Sequence, residues 1–231
     1  MKKIFMTLLV ALAFICTGAS PRDAMRPAET GQIKDTKIFA VNNTFVSVYL
    51  VKTSNGYILF DAGIDPVHLE GQFNELNIDT DEVRWIFLTH TDRDHVASLS
   101  LFPNALIYIN IEEKQLLDGT TNRNDSGGNT LPLATNKSLN DVNFFKNNQK
   151  FTFEGTIVKC VNMPGHTPGS TLFLIDKQYL ITGDAFSYID GKIGVHPFTM
   201  DEKLAEKSIK KKTKFINKSK AVMTGHYGVI Y

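Results

Sequence analysis

Five short motifs rich in histidine, aspartate and glycine, each placed after an apolar run, constrain the fold of this chain more than any other feature. They occupy Leu59–Gly63, Leu88–His95, Pro164–Ser170, Thr182–Ala185 and Thr224–Tyr227. Short apolar runs predict buried strands, and the residues that follow neighbouring strands meet at a shared edge of a sheet. We therefore expect the polar side chains of the five motifs to converge at one edge.

The side chains in these motifs suit a pair of divalent metal ions. Imidazole nitrogens and carboxylate oxygens are ligands that zinc takes, and two ions with a bridging water need about seven or eight donors. Seven candidates are available, namely His90, Asp92, Asp94, His95, His166, Asp184 and His226. The other two histidines, His68 and His196, follow no such strand. One histidine after a strand is commonly a solvated loop residue, but four in such settings favour a metal site.

The pattern between the motifs predicts an α/β fold. Runs of β-branched and aromatic residues indicate an antiparallel meander over 37–41, 44–51 and 57–60. Strands and helices then alternate, with strands at 84–89 and 106–109 and helices at 95–101 and 112–117. Further strands are expected at 151–153, 156–162, 170–175, 179–182 and 221–224, and a helix at 202–216. The order of sheet, helices, sheet and helix predicts an αββα sandwich.

The N-terminus is predicted to be a secretory signal peptide. A pair of lysines precedes an apolar run over 4–15, which is too short to span a bilayer, and Ala19 suits cleavage. We assign residues 1–19 to the signal and 20–231 to a single domain. The protein is expected to be exported by a bacterium, to the periplasm or the extracellular space.

A lipoprotein is the alternative for this N-terminus. Cys16 is a candidate for acylation, which would give the protein a lipid anchor without any membrane-spanning segment. Ile15 directly before it is unlike the small residue that lipoprotein processing uses, so cleavage after Ala19 is favoured.

The charge balance bears on partners. Twenty-five Lys and Arg residues oppose 24 Asp and Glu residues, so the chain has no strong positive field to attract nucleic acid. We expect a small-molecule substrate and no nucleic-acid partner. No oligomeric state is predicted.

The motifs resemble those of the metallo-β-lactamase superfamily, and most closely its glyoxalase II-like and uncharacterised hydrolase branches. The signature H-x-H-x-D-H of that family stands here as H-T-D-R-D-H over 90–95, and the similarity runs from about Lys37 to His226. The resemblance implies that one metal is bound by His90, Asp92 and His166. It implies that a second metal is bound by Asp94, His95 and His226, and that Asp184 bridges both metals. It also implies that Asp61 supports the ligands without binding a metal itself.

Asp92 departs from the family pattern, because it stands where the second histidine of the signature is expected. A carboxylate has a comparably short reach, so the site need not be lost. With Asp94 and Asp184 it adds a third negative charge, which weakens the metals as Lewis acids and favours iron or manganese beside zinc. The alternative is a weak first site and an enzyme that works with one metal.

The resemblance implies hydrolysis by a metal-activated hydroxide, with Asp94 as the catalytic residue that orients it. The expected cofactors are two divalent ions, zinc before iron or manganese. The scissile bond is that of an ester, thioester, lactone, amide or phosphoester, since the fold does not choose among them. Tyr227 and His196 are candidate substrate contacts.

Three other functions stay open at this point. A true β-lactamase is one, although typical class B enzymes have Cys or Ser at the position of Asp184. A non-heme diiron or sulfur dioxygenase uses the same ligand scaffold. The third is a metal-binding protein without catalytic turnover. In that case Asp92, in place of the signature histidine, would indicate that activity has been lost.

Export predicts a defined mature N-terminus. Mass spectrometry of the protein from the extracytoplasmic fraction should find a chain that begins at Ser20 or Pro21. A cytosolic protein that retains Met1 would contradict the signal-peptide assignment.

Overall fold

The computed structural model describes residues 5–6, 20–123 and 141–231. Phe5–Met6 is a short strand, β1, within the segment assigned to the signal peptide. The rest of that segment, including Cys16, lies outside the described residues, so its removal stays a prediction. In the part of the chain that is described, no helix is both long and apolar enough to cross a bilayer.

Two large β-sheets form the centre of the fold. The first has seven strands in the order β2-β3-β4-β5-β6-β7-β8. Their bounds are Gly31–Gln32, Ile38–Asn43, Val46–Thr53, Gly56–Phe60, Val83–Phe87, Leu106–Asn110 and Asn143–Phe145. Strands β3, β4 and β5 pair antiparallel, as the predicted meander requires, whereas β5, β6, β7 and β8 run parallel.

The second large sheet has six strands in the order β16-β15-β12-β11-β10-β9, and a small third sheet has the order β1-β14-β13. Strands β9 to β12 are Lys150–Phe153, Thr156–Asn162, Thr171–Ile175 and Tyr179–Gly183. Strands β13 to β16 are Ser187–Ile189, Lys192–Gly194, Ala221–Thr224 and Val229–Ile230. Because β12 and β15 are parallel, their carboxyl ends lie at the same edge of the sheet.

Helices cover the outer faces of both sheets. They are α1 (Pro66–Glu75), α2 (Arg93–Val96), α3 (Lys114–Leu117) and α4 (Glu202–Ile216). Leu69 and Phe73 of α1 pack in a core with the first sheet, and Ile209 and Ile216 of α4 pack in another with the second. A third core fills the space between the sheets. These layers confirm the predicted αββα sandwich.

Some predicted elements differ in detail. The helix expected over 95–101 is the short α2 followed by a 3-10 turn, Leu99–Leu101. The helix expected over 112–117 is a 3-10 turn, Ile111–Glu113, continued by α3. At the end of α2 the Ala97 N–H donates to the carbonyl oxygen of Gly63 as well as to that of Arg93. At the start of the second segment the Glu112 N–H donates to the side chain of Asn110.

Phe87 is the centre of the core between the sheets. Its ring contacts six others, with centroid distances from 4.7 to 6.2 Å, and these belong to Phe60, Tyr108, Phe145, Phe151, Phe153 and Phe173. The side chain is fully buried. Since members of this cluster come from both large sheets, Phe87 joins one sheet to the other.

Phe87→Ala should therefore lower the free energy of unfolding by about 3–5 kcal/mol, because it removes the contacts and leaves a cavity. Urea denaturation of the purified protein measures the change. Val67→Ala is the control: Val67 is 79% exposed on α1, and its loss should change stability by less than about 0.5 kcal/mol. A loss below about 1 kcal/mol for Phe87→Ala would contradict the central role of this ring.

Candidate metal centre

Asp184, which directly follows β12, lies at the centre of a group of buried histidines. Five imidazole Nε2 atoms surround its carboxylate. Their distances to the nearer of its oxygens are 3.0 Å for His226, 3.4 Å for His95, 3.6 Å for His196, 3.7 Å for His166 and 3.9 Å for His90. All six residues are at most 3% exposed. The strand-end motifs therefore do converge at one edge.

The carboxylates of Asp92 and Asp94 contact different histidines of this group. Asp92 Oδ2 is 3.1 Å from His166 Nε2 and 3.5 Å from His90 Nε2. Asp94 Oδ2 is 3.4 Å from His226 Nε2. The donor atoms of His90, Asp92 and His166 lie within 4.8 Å of one another, and so do those of Asp94, His95 and His226. Both ligand sets that the sequence implied are thus brought together.

In three of the histidines, His90, His95 and His226, a hydrogen bond to Nδ1 directs the Nε2 atom toward Asp184. His95 Nδ1 donates to Asp61 Oδ2 at 2.8 Å. His226 Nδ1 donates to the carbonyl oxygen of Phe45 at 2.7 Å. His90 Nδ1 lies 2.9 Å from the hydroxyl of Thr89. Such partners fix both the tautomer and the direction of a ligating imidazole.

Asp61 holds more than His95. Its Oδ1 accepts the Thr89 backbone N–H at 2.8 Å and its Oδ2 accepts the Thr89 hydroxyl at 2.8 Å. The residue has a positive φ of 60°, which turns the chain sharply after β5. Asp61 therefore holds both the ring of His95 and Thr89, the residue before His90.

Glu113 is a site residue that the sequence analysis missed. It is fully buried, and its two oxygens accept from the Thr91 N–H (2.9 Å) and hydroxyl (2.7 Å), the Thr167 hydroxyl (2.5 Å) and the Gly169 N–H (2.8 Å). Thr91 lies between two candidate ligands and Thr167 follows another. Glu113 thus ties the loop after β6 to the loop after β10.

Arg123 is the second residue that was missed. Its Nη2 lies 2.6 Å from Asp92 Oδ2, and the guanidinium also donates to the carbonyl oxygens of His166 (2.8 Å) and Phe198 (2.7 Å). The side chain is fully buried. Because a buried guanidinium stays charged, Asp92 has a permanent positive partner.

The two candidate substrate contacts lie in different places. His196 lies among the buried histidines around Asp184, with its Nε2 3.6 Å from Asp184 Oδ2, although it follows no strand-end motif. Tyr227 is 7% exposed and its ring lies 6.0 Å from that of His196. Burial, followed by the charge of Asp184, raises the pKa of the Tyr227 phenol above its usual range. Its hydroxyl has no hydrogen-bond partner among the described residues.

The charges within the group shift the proton affinities of its members. Burial alone would raise the pKa of Asp184, but the imidazoles of His226, His95 and His196 outweigh it and hold that pKa well below the usual range. Burial would lower the pKa of His226, yet Asp184 and Asp94 raise it to about 10. The pKa of His95 is raised as well. Burial alone would lower it, but the negative charges of Asp184, Asp61 and Asp94 outweigh burial.

The arrangement fits divalent metal ions. Among the described residues, several buried donor atoms of the group have no hydrogen-bond partner, including Asp92 Oδ1, His95 Nε2, Asp184 Oδ1 and both ring nitrogens of His196. Unpaired buried polar atoms are rare in folded proteins, and here several of them belong to residues whose donor atoms lie within 4.8 Å of one another. Nitrogen and carboxylate oxygen are donors of the kind that zinc, iron and manganese accept.

Gly225 lets two of the motifs approach each other. A Cβ atom at this position would lie 2.3 Å from Asp184 Oδ1 and 3.0 Å from His95 Cε1. Any larger residue would have to displace one of these side chains. The glycine directly before His226 is therefore required by close approach to the centre.

A cavity of about 110 Å³ opens onto the group. Asp94 faces it, and apolar side chains and two arginines complete its wall. These are Met25, Phe45, Ile64, Phe198, Arg22 and Arg93. A small molecule that enters the cavity therefore meets the carboxylates and imidazoles directly.

Comparison with known proteins agrees with this geometry. A family model described as the metallo-beta-lactamase superfamily matches residues 41–226. A probable metallo-hydrolase of Methanocaldococcus jannaschii is 28% identical over 160 residues, which cover 68% of this chain and 64% of that relative. The uncharacterised protein YobT of Bacillus subtilis is 34% identical over 154 residues, 63% of this chain and 64% of YobT. The matches thus span just under two thirds of these relatives.

A solved structure shares the fold. The subclass B3 metallo-β-lactamase BJP-1 of Bradyrhizobium japonicum superposes with a TM-score of 0.66 at 19% identity, over 88% of this chain and 79% of that one. The family model covers most of the present sequence, from within β3 to His226. The chain therefore belongs to the metallo-β-lactamase superfamily.

Proposed function

We propose that the protein is a metal-dependent hydrolase that cleaves an ester, thioester, lactone, amide or phosphoester bond of a small molecule. The observation that carries the proposal is the carboxylate of Asp184 with five imidazole Nε2 atoms around it. A buried group of this kind has a physical reason to exist if it holds cations. Two divalent ions are proposed, with zinc preferred and iron or manganese as alternatives.

The ligands are proposed in two sets joined by Asp184. The first set is His90, Asp92 and His166, and the second is Asp94, His95 and His226. When bound, a pair of divalent ions lowers the pKa of a coordinated water from about 15.7 toward 7 and polarises the oxygen of the bond to be cleaved. The protein supplies fixed donors, a partly enclosed cavity and the proton acceptor.

Asp94 is the proposed catalytic residue. Burial would raise the pKa of its carboxyl, but His95 and His226 outweigh burial and bring it to about 2, so the group is ionised at neutral pH. Its side chain is 20% exposed and faces the cavity, whereas Asp92 and Asp184 are only 4% exposed. Asp94 is therefore the carboxylate best placed to orient the attacking water and accept its proton.

The cavity supports a small substrate. Its volume of about 110 Å³ leaves room for the reacting group and its immediate neighbours. Phe45 and Phe198 offer apolar contact, and Arg22, whose guanidinium lies 5.3 Å from the Phe45 ring centre, adds positive charge at the wall. A substrate with an apolar part and an acidic or polar oxygen fits such a wall best.

Export remains part of the proposal on sequence grounds. The paired lysines, the apolar run and Ala19 support removal of 1–19 and a periplasmic or extracellular location. Action on a small molecule outside the cytoplasm is the function proposed.

Metal affinity should rise with pH. The pKa of His226 is raised to about 10, and the pKa of His95 is raised as well, so both imidazoles are protonated at neutral pH in metal-free protein. A cation must displace these protons, and each displaced proton makes affinity rise about tenfold per pH unit. Competitive chelator titrations between about pH 6 and 8 measure the slope. A slope of zero would contradict the proposed ligand roles of both histidines.

Asp94→Asn should reduce hydrolysis by about 100-fold or more, because the proton acceptor is lost while the side-chain shape is kept. The substrate is first identified with a panel of a lactone, a thioester, a phosphodiester and a β-lactam, each tested with zinc-loaded protein. Asp35→Asn is the matched control, since Asp35 is exposed and distant from the group, and it should keep the wild-type rate.

Two outcomes would count against this proposal. If Asp94→Asn hydrolyses the substrate at the wild-type rate, Asp94 is not the catalytic residue. If no member of the panel is cleaved by protein shown to contain metal, the alternative of a metal-binding protein without turnover is favoured.

A further inference from the structure

His196 is a buried histidine whose ring has no hydrogen-bond partner in the described part of the chain. It lies after β14, in the segment that leads to α4, and is 2% exposed. Neither Nδ1 nor Nε2 has a partner among the described residues. A buried imidazole gives up its bonds to water, so a fold that leaves both nitrogens unpaired needs a physical reason.

The ring of His196 is directed into the metal-ligand group. Its Nε2 is 3.6 Å from Asp184 Oδ2, and its ring centre is 4.9 Å from that of His166 and 5.6 Å from that of His226. The donor atoms of His166, Asp184 and His196 lie within 4.8 Å of one another, as in the two proposed ligand sets. The unpaired Nε2 of His196 thus faces other atoms that can bind a metal ion.

The segment that carries His196 is fixed to the segment that carries His166. The Met200 N–H donates to the His166 carbonyl oxygen at 3.1 Å, and the Asp201 N–H donates to the Gly165 carbonyl oxygen at 3.0 Å. Arg123 bridges the same two segments through the carbonyl oxygens of His166 and Phe198. The position of His196 is therefore built into the fold.

One oxygen of the Asp92 carboxylate is already paired with a cation, whereas the other, Oδ1, has no partner among the described residues. Asp92 stands where the family signature has an imidazole, and its Oδ2 lies 2.6 Å from the guanidinium of Arg123. A carboxylate shared with a fixed cation gives less charge to a metal than a free one. With the second histidine of the signature, the first ligand set would have three imidazoles. Here it has two, those of His90 and His166, together with the carboxylate of Asp92.

We propose that His196 is a metal ligand that acts with His166 and Asp184 and supplies the imidazole that position 92 lacks. The inference rests on the proposed function, since it assumes that the group binds metal. It assigns to His196 a role in the metal centre instead of the substrate contact expected from the sequence. Arg123 balances the charge of Asp92, and His196 restores a neutral nitrogen donor to the first metal.

NMR spectroscopy of the wild-type protein tests the proposal without a substitution. The protein is prepared with isotope-labelled histidine and loaded with an NMR-active cadmium isotope, and one-bond coupling between cadmium and imidazole nitrogen identifies each ligand. Of the six histidines, five should show coupling: His90, His95, His166, His196 and His226. His68 on α1 is the internal control without coupling. Coupling at the other four with none at His196 would overturn the proposal.

A pair of matched variants gives an independent readout. His196→Gln should weaken one of the two bound metals by about tenfold or more in a competitive zinc chelator titration, and His68→Gln should leave both unchanged. Thermal denaturation of the metal-free forms shows that each variant is folded. Wild-type affinity for both metals in folded His196→Gln would overturn the proposal. Failure of the wild-type protein to bind zinc or cadmium would instead overturn the proposed function.

Discussion

The burial of Asp184 among imidazoles is the interaction on which the rest of the site depends. A carboxylate that is 3% exposed loses its hydration and must be compensated by nearby positive charge. Here the compensation comes from strand ends of both large sheets, so the sandwich has to close before the group exists. Gly225 allows this closure, because a Cβ at that position would meet the Asp184 carboxylate. The site therefore forms only when the two large sheets have packed together.

A layer of hydrogen bonds behind the imidazoles keeps the group in register. Asp61 and the Phe45 carbonyl oxygen hold the second ligand set, and Thr89 holds His90. Glu113 joins the loops that carry the first set through four hydrogen bonds. These contacts direct the donor atoms in the absence of any cation, so we expect a metal to bind with little rearrangement.

Much of this arrangement could be predicted from the sequence, for a physical reason. Each strand-end motif combines a local pattern, an apolar run, with a polar residue at its end, and parallel strands such as β5 and β6 bring those ends together. Helix α4 was predicted with its observed bounds, 202–216, because its amphipathic pattern is long. His196, Arg123 and Glu113 were not found as parts of the metal centre, because they enter it from loops and a 3-10 turn. Their roles depend on long-range contacts that leave no local pattern.

We propose that Asp184 lies between two metal ions. An anomalous difference map from crystals of zinc-loaded protein, measured at the zinc absorption edge, locates the bound metal ions. Two peaks are expected, one on each side of the Asp184 carboxylate, with His166 beside one and His95 beside the other. A single peak, or none in crystals in which these side chains are ordered, would contradict it.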